Sequence, residues 1–165
     1  MKKLSFLVLL TSLCSSAHAQ KITLSEIIHF HDLSVKQIEG ILSKKRFTFR
    51  GLIELNSQTG TSGISYGYQN SSFTKSLMIA GPDDSFYYIG YTTDSPKEYN
   101  ELIQSLKTLG FHSTDTERYD VDLITNYENS RSHNFNVSLS KSYDSIYQKT
   151  HYLLKVVNLL KKPIK

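Results

Sequence analysis

The segment His29-Phe30-His31-Asp32 is the first stretch whose residue types could bind a metal ion. An HxH pair followed by Asp opens the metal sites of some hydrolases, and a complete site needs three or four converging ligands. This segment falls at the end of a predicted helix, where residues two apart do not face each other. Histidines at a helix end can instead interact with the last backbone carbonyls. We therefore expect no metal site here.

Four carboxylates lie close together in the second half of the chain, at Asp115, Glu117, Asp120 and Asp122. Calcium loops have carboxylates at this density, but they also need a turn glycine and a bidentate acid that closes the loop. The stretch contains no glycine and has Arg118 in its middle. A solvated strand edge or loop is therefore expected. Neither a metal nor a cofactor is predicted for the chain.

Nucleophilic catalysis is not indicated by any motif in the sequence. There is no Gly-x-Ser-x-Gly elbow and no phosphate-binding loop. A serine without a positioned base is only polar surface. A hydrolase built around His112, His133 or His151 stays open as an alternative, but we predict no catalytic residue.

Residues 1–19 have the pattern of an export signal. Two lysines are followed by the mostly apolar run Leu4–Leu13, and Ala17 and Ala19 occupy the positions that signal peptidase reads. The apolar run is shorter than the roughly 20 residues of a membrane-spanning helix. We therefore expect cleavage after Ala19 and export to the periplasm or the medium.

Lipidation of Cys14, the single cysteine, is the alternative to cleavage after Ala19. Leu13 disfavours it, because lipoprotein signals need a small residue before the cysteine. Loss of residues 1–19 would remove two lysines and lower the formal net charge from +4 to +2 (4 − 2). A nearly neutral chain lacks the basic footprint of a nucleic-acid-binding protein. No nucleic-acid partner is expected, and the oligomeric state cannot be inferred.

Three short patterns predict the starts of helices. Thr23–Glu26 and Ser34–Gln37 each match a capping box, in which the first side chain caps the helix and the fourth reaches back. Ser95-Pro96-Lys97-Glu98 adds a proline at the first helical position. Gly110 ends this third helix, because glycine readily adopts the left-handed conformation. Leu106, on the apolar stripe of the helix, is predicted to lie in the core.

Strand-like segments with alternating apolar residues follow Phe47 and Phe111, which lie in the similar junctions ILSKKRFTF and SLKTLGFHS. We therefore predict an α+β fold with an antiparallel sheet and helices packed on one face. The similarity of the junctions predicts two related helix-then-meander halves, residues 20–94 and 95–165, that share one core. Chance is the alternative explanation, because an α-then-β order is common.

This order of elements in an exported chain resembles the β-lactamase-inhibitor-protein-like fold, over most of the chain after residue 19. Members of that group are non-catalytic binders of other proteins or factors in envelope assembly, so the resemblance implies a binding role. The chain departs from the secreted inhibitors in having no disulfide. No motif matches residue by residue, so no functional residue is carried over.

The stretch Ser85–Thr93, SFYYIGYTT, has four aromatic rings within six positions. Side chains alternate between the two faces of a strand, so these rings cannot all lie on one face. An even-length loop at Gly81–Asp84 would place Phe86 and Tyr88 on the face that carries Leu77 and Ile79. A two-residue turn at Ser71-Ser72 would add Ile64 and Tyr66 to the same face.

The opposite face would then carry a tyrosine-centred, uncharged patch, made of Tyr87, Ile89, Tyr91, Met78 and Gln69. Tyrosine offers a large rigid area with a polar tip, which suits a protein interface. Two alternatives stay open. The C-terminal segment VVNLLKKPIK could cover this face, or an odd-length loop could exchange the two faces.

These patterns favour an exported, non-enzymatic binding module for an unknown protein or envelope component. It would use the outer sheet face or an edge strand. A structural or assembly component of the cell envelope is the second hypothesis. An enzyme of unrecognised type is the third, because no motif indicates one.

Overall fold

The computed structural model describes residues 21–56, 61–69, 74–81, 87–130 and 134–161. The predicted export signal, residues 1–19, lies outside the described residues. So do Ser71-Ser72, Phe86, His133 and most of the predicted turn at Gly81–Asp84.

The first two helices, α1 (Leu24–Phe30) and α2 (Val35–Lys44), begin at the two predicted capping boxes. Thr23 Oγ1 accepts from the Glu26 amide at 3.2 Å, and the Glu26 carboxylate accepts from the Thr23 amide at 2.8 Å. Ser34 and Gln37 repeat this exchange. Each box satisfies amide groups that the first helical turn leaves without partners, so local sequence is sufficient to start both helices.

The third helix, α3 (Pro96–Thr108), is capped by Ser95, whose side chain accepts from the Glu98 amide at 3.3 Å. It ends just before Gly110, which has a positive φ of +83°. The predicted limits are therefore confirmed, as is the core position of Leu106, whose exposure is 0 %. The Glu98 side chain does not reach back to the cap; it turns into the protein interior.

Eight strands form one antiparallel sheet. Their bounds are β1 (Thr48–Asn56), β2 (Thr61–Gln69), β3 (Thr74–Gly81), β4 (Tyr88–Thr93), β5 (Phe111–Tyr119), β6 (Asp122–Asn129), β7 (Phe135–Asp144) and β8 (Lys149–Asn158). The spatial order is β1-β2-β3-β4-β8-β7-β6-β5. The first four strands and the last four are therefore contiguous blocks, joined where β4 pairs with β8. Strands β1 and β5 are the two edges.

The helices pack against one side of the sheet, here called the helix-facing side. Tyr66 on β2 donates to Glu39 on α2 at 3.0 Å, and Tyr91 on β4 donates to Glu98 on α3 at 3.0 Å. Apolar residues of the same side and of the helices form one hydrophobic core. Burial of this apolar surface is the main force that holds the layers together. An α+β architecture with an antiparallel sheet is thus confirmed.

Candidate interaction surface

The predicted tyrosine patch required an even-length loop between β3 and β4, and this expectation is wrong. Ala80 lies opposite Tyr88, and Leu77 lies opposite Tyr91, so an odd number of residues connects the two strands. Because side chains alternate along a strand, an odd-length loop exchanges the two faces of β4. Tyr88 therefore lies on the open side of the sheet, away from the helices, and Tyr91 on the helix-facing side.

The five predicted patch residues consequently do not share a surface. Ile89 and Tyr91 belong to the core, with exposures of 0 % and 1 %. Tyr87, just before β4, is half-buried. Met78, opposite Gly90, and the exposed Gln69 lie on the open side. Of the aromatic rings that the structure describes in this stretch, Tyr91 is therefore interior, where its hydroxyl contacts Glu98 of α3.

The prediction for the neighbouring hairpin is confirmed. Ile64 lies opposite Ile79, and Tyr66 lies opposite Leu77, so these residues share the helix-facing side as expected. The parity argument therefore holds between β2 and β3. It fails between β3 and β4 because the assumed loop length there was even.

A buried polar cluster, here called the Glu98 cluster, joins α3 to β3 and β4. Lys75 forms a salt bridge with Glu98, and both residues are buried. The other carboxylate oxygen accepts from Tyr91 Oη at 3.0 Å and from Thr93 Oγ1 at 2.9 Å. Burial and then the neighbouring Glu98 charge raise the pKa of Tyr91. The carboxylate thus has both a counter-charge and hydroxyl donors, as a buried charge requires.

The sequence analysis missed the Glu98 cluster, although one signal was present. Lys75 is two and four residues from Leu77 and Ile79 along β3, so its side chain points to the same, core-facing side of the strand. A lysine at such a position needs a buried counter-charge. The cluster is sealed from solvent, so its chemistry suits the fixing of α3 on the sheet rather than the binding of a ligand.

The open side of the sheet has few charged groups near its centre. Tyr88 lies over Gly90, where a Cβ atom would be 2.7 Å from the phenol oxygen, and Lys155 stands 5.6 Å from the centre of its ring. Arg50 covers Gly67 in the same manner. Two long side chains therefore fill the space above two glycines. A solvated open side is common for antiparallel sheets, so this arrangement alone does not indicate a binding site.

A more exposed apolar surface lies at one end of the sheet, here called the hairpin-tip surface. The β5–β6 and β7–β8 turns meet at this end because β6 and β7 are antiparallel neighbours, with Leu123 opposite Lys141. The two hairpins are roughly 10 Å apart, which is two strand spacings. Large apolar residues exposed here are Tyr119, Val121, Tyr143, Ile146 and Tyr147.

The β7–β8 turn holds its two apex residues in a defined conformation. Asp144 Oδ1 accepts from the amides of Ile146 at 2.9 Å and Tyr147 at 3.1 Å. Gln148 has a positive φ of 50°, which closes the turn. Ile146 is 84 % exposed and Tyr147 72 %. An ordered turn thus presents two large apolar side chains to solvent, and the sequence SYDSIYQKT could have indicated it through its Asp-initiated turn.

The histidine and acidic segments do not converge on a common point. His31 is buried, with its ring 5.4 Å from that of Phe135, whereas His29 is exposed. Asp115, Glu117 and Asp120 are exposed on or beside β5, and Asp122 begins β6. Within the described ranges, no group of three or more His, Cys, Asp or Glu residues is placed to hold a metal ion.

Two grooves lie along α3, with volumes of about 260 and 570 Å³. The first separates α3 from the start of α1 and is mostly apolar. The second contains the ion pair between Lys21 and Glu101, at 2.6 Å, which is about one-third exposed. Both are open helix surfaces without converging catalytic groups. Of the helices that the structure describes, none has the length and hydropathy needed to cross a membrane.

Comparisons with known proteins identify no relative: no protein-family model, curated protein or solved structure matches the chain.

Proposed function

We propose that this protein is an exported, non-enzymatic binding module that contacts its partner through the hairpin-tip surface. The observation that carries the proposal is the β7–β8 turn, where Asp144 fixes the backbone beneath the exposed Ile146 and Tyr147. Exposed large apolar groups in a cluster mark interaction sites more often than isolated ones do. The partner is a protein or another component of the cell envelope.

Preorganisation is the physical reason why this turn suits binding. A flexible loop loses conformational entropy when it binds, and a turn that is already ordered loses less. Tyrosine also contributes a large contact area with few rotatable bonds, and it is enriched among the residues that dominate binding energy. Tyr119 and Tyr143 lie at the same end of the sheet, on its open side and its helix-facing side respectively, so each would extend the contact onto one face.

Export rests on the pattern of residues 1–19, and the two-halves architecture on the similar junctions before Phe47 and Phe111. We include both in the proposal. The contiguous blocks β1–β4 and β5–β8 agree with a tandem arrangement, in which each block follows its own helical segment. A structural role in the envelope is the second candidate, and it would use the same apolar end of the sheet.

The proposal is tested with a double variant, Ile146→Ser with Tyr147→Ser, expressed in the native host. Wild type and variant are purified from the exported fraction, and co-purified components are quantified by mass spectrometry. Truncation of both side chains should together weaken binding by about 2 kcal/mol or more, which is roughly a 30-fold loss of affinity, and recovery of the partner should fall accordingly. The intact mass of each preparation checks cleavage after Ala19.

Leu160→Ser is the matched control, because Leu160 is 75 % exposed and follows β8 at the opposite end of the sheet. The control should retain the partner at the wild-type level. Both variants should melt close to wild type, since the altered side chains contact mainly solvent. Equal recovery of every partner by the double variant and wild type would refute the hairpin-tip surface as the binding site.

A further inference from the structure

The two edges of the sheet differ sharply in their chemistry. Strand β5 is exposed along nearly its whole length, and its solvated residues include His112, Asp115, Glu117 and Arg118. Charged side chains protect an edge strand from pairing with another chain. Strand β1 instead exposes Phe49, at 58 %, and Leu52, at 76 %. Strand β1 also carries the exposed Arg50, and β5 also exposes Tyr119, but two large apolar side chains lie within β1, so it is the edge better suited to pairing.

A bulge in β1 places these two apolar residues on the same side. Phe49 lies opposite Tyr66, and Gly51 lies opposite Ser65, so Arg50 is the extra residue between them. Leu52 then lies opposite Ile64, on the helix-facing side like Phe49. Without the extra residue, side chains three positions apart would point to opposite faces. The bulge thus creates an exposed apolar pair next to the half-buried Ile64.

We infer that β1 pairs antiparallel with β1 of a second copy of this chain, about a two-fold axis through the Arg50–Gly51 bulge. In this register Phe49 lies opposite Leu52 of the second copy, and Leu52 lies opposite Phe49. Thr48 lies opposite Ile53 on the open side of the sheet. Every opposed pair therefore shares a face, as antiparallel pairing requires. The two bulges oppose each other at the axis, so neither is forced against a regular strand.

The β1 edge is complementary to itself, which supports a second copy of the chain as its partner. The β1 edge offers an aromatic ring and an aliphatic side chain in positions that exchange under two-fold symmetry, so each fills the space opposite the other. Such an interface is isologous and closes at two copies. The charged β5 edge prevents continuation of the sheet at the far side. A contact made through a single edge strand should be small for a protein interface, so we expect a dissociation constant in the micromolar range.

Sedimentation velocity of the purified exported protein, from about 1 to about 100 µM, tests this interface. Wild type should shift from monomer to dimer across this range. Leu52→Glu, which places a charge against the apolar contact, should weaken dimerisation at least about tenfold. Leu160→Glu, just after β8 and outside both the β1 edge and the hairpin-tip surface, should dimerise as wild type does. Circular dichroism should show that both variants fold, because both altered positions are exposed.

Cysteine cross-linking tests the register itself. Phe49→Cys and Leu52→Cys are made separately in a Cys14→Ser background, so that each protein holds one thiol. Under mild oxidation, a mixture of the two should form the mixed disulfide at least several-fold faster than either protein forms its own. Monomer at all concentrations, a dimer insensitive to Leu52→Glu, or no preference for the mixed disulfide would each overturn the proposal.

Discussion

Removal of the Lys75 charge is the most demanding test of the packing between α3 and the sheet. In Lys75→Met, the buried Glu98 carboxylate would keep the hydroxyl donors Tyr91 and Thr93 but lose its counter-charge. Breaking one side of a buried ion pair destabilises a protein by about 3–5 kcal/mol. For a chain of this size, that loss corresponds to a fall in melting temperature of roughly 6–20 °C.

The double variant, Lys75→Met with Glu98→Gln, separates the charge effect from lost packing. Glutamine retains an oxygen that can accept from Tyr91 and Thr93, while neither buried charge remains. We expect the double variant to be more stable than the sum of the single changes predicts, by about 1–3 kcal/mol. Urea denaturation of wild type, both single variants and the double variant measures this coupling.

A loss of less than about 1 kcal/mol in Lys75→Met would refute the reasoning, because only solvent-exposed ion pairs have so small an effect. The reasoning would also be refuted if the losses of unfolding free energy in the two single variants simply added up in the double variant. Lys75 and Glu98 would then stabilise the protein independently. A suitable control is Lys97→Met, on an exposed position of α3. It should leave the urea midpoint within error of wild type.

Two further changes test other parts of the fold. Leu106→Ala empties a fully buried site and should destabilise the protein by about 2–5 kcal/mol in urea denaturation; an unchanged midpoint would contradict the packing of α3. Although burial raises the pKa of Glu26, hydrogen bonds from the Thr23 amide and Lys45 have the larger combined effect, so the pKa is lowered. Its carboxylate therefore stabilises the protein above the pKa of the unfolded chain, and this stabilisation is lost as pH falls through the lower folded value. Glu26→Gln should lower the free energy of unfolding by no more than about 1 kcal/mol near neutral pH, and by less in acid. A loss of stability that is the same at both pH values would contradict the proposed role of the Glu26 carboxylate.

The helix starts could be read from the sequence because their causes are local. A capping box places its donor and acceptor three residues apart, as Thr23 with Glu26 and Ser34 with Gln37 do. Gly110 ends α3 for a similarly local reason, since its φ of +83° is disfavoured for other residues. Such interactions need no partner from elsewhere in the chain, so the pattern alone predicts them.

The faces of β4 could not be read in this way. The alternation of aromatic residues in SFYYIGYTT fits either assignment, and the choice depends on whether the preceding loop has an even or odd length. That length is decided by packing: Tyr91 enters the core, where its hydroxyl meets Glu98 on α3. The prediction of an outward Tyr91 was wrong because the strand pattern does not show how α3, the next element along the chain, folds back against the sheet.

The sequence by itself determined where the helices begin and that alternating strands follow them, because helix caps and strand alternation are properties of neighbouring residues. Tertiary structure alone decided which surfaces are covered. It buried Ile89 and Tyr91, paired Lys75 with Glu98, and left Ile146 and Tyr147 exposed on an ordered turn. The physical reason is that burial depends on the whole arrangement of layers, in which residues far apart in sequence compete to cover the same apolar surface.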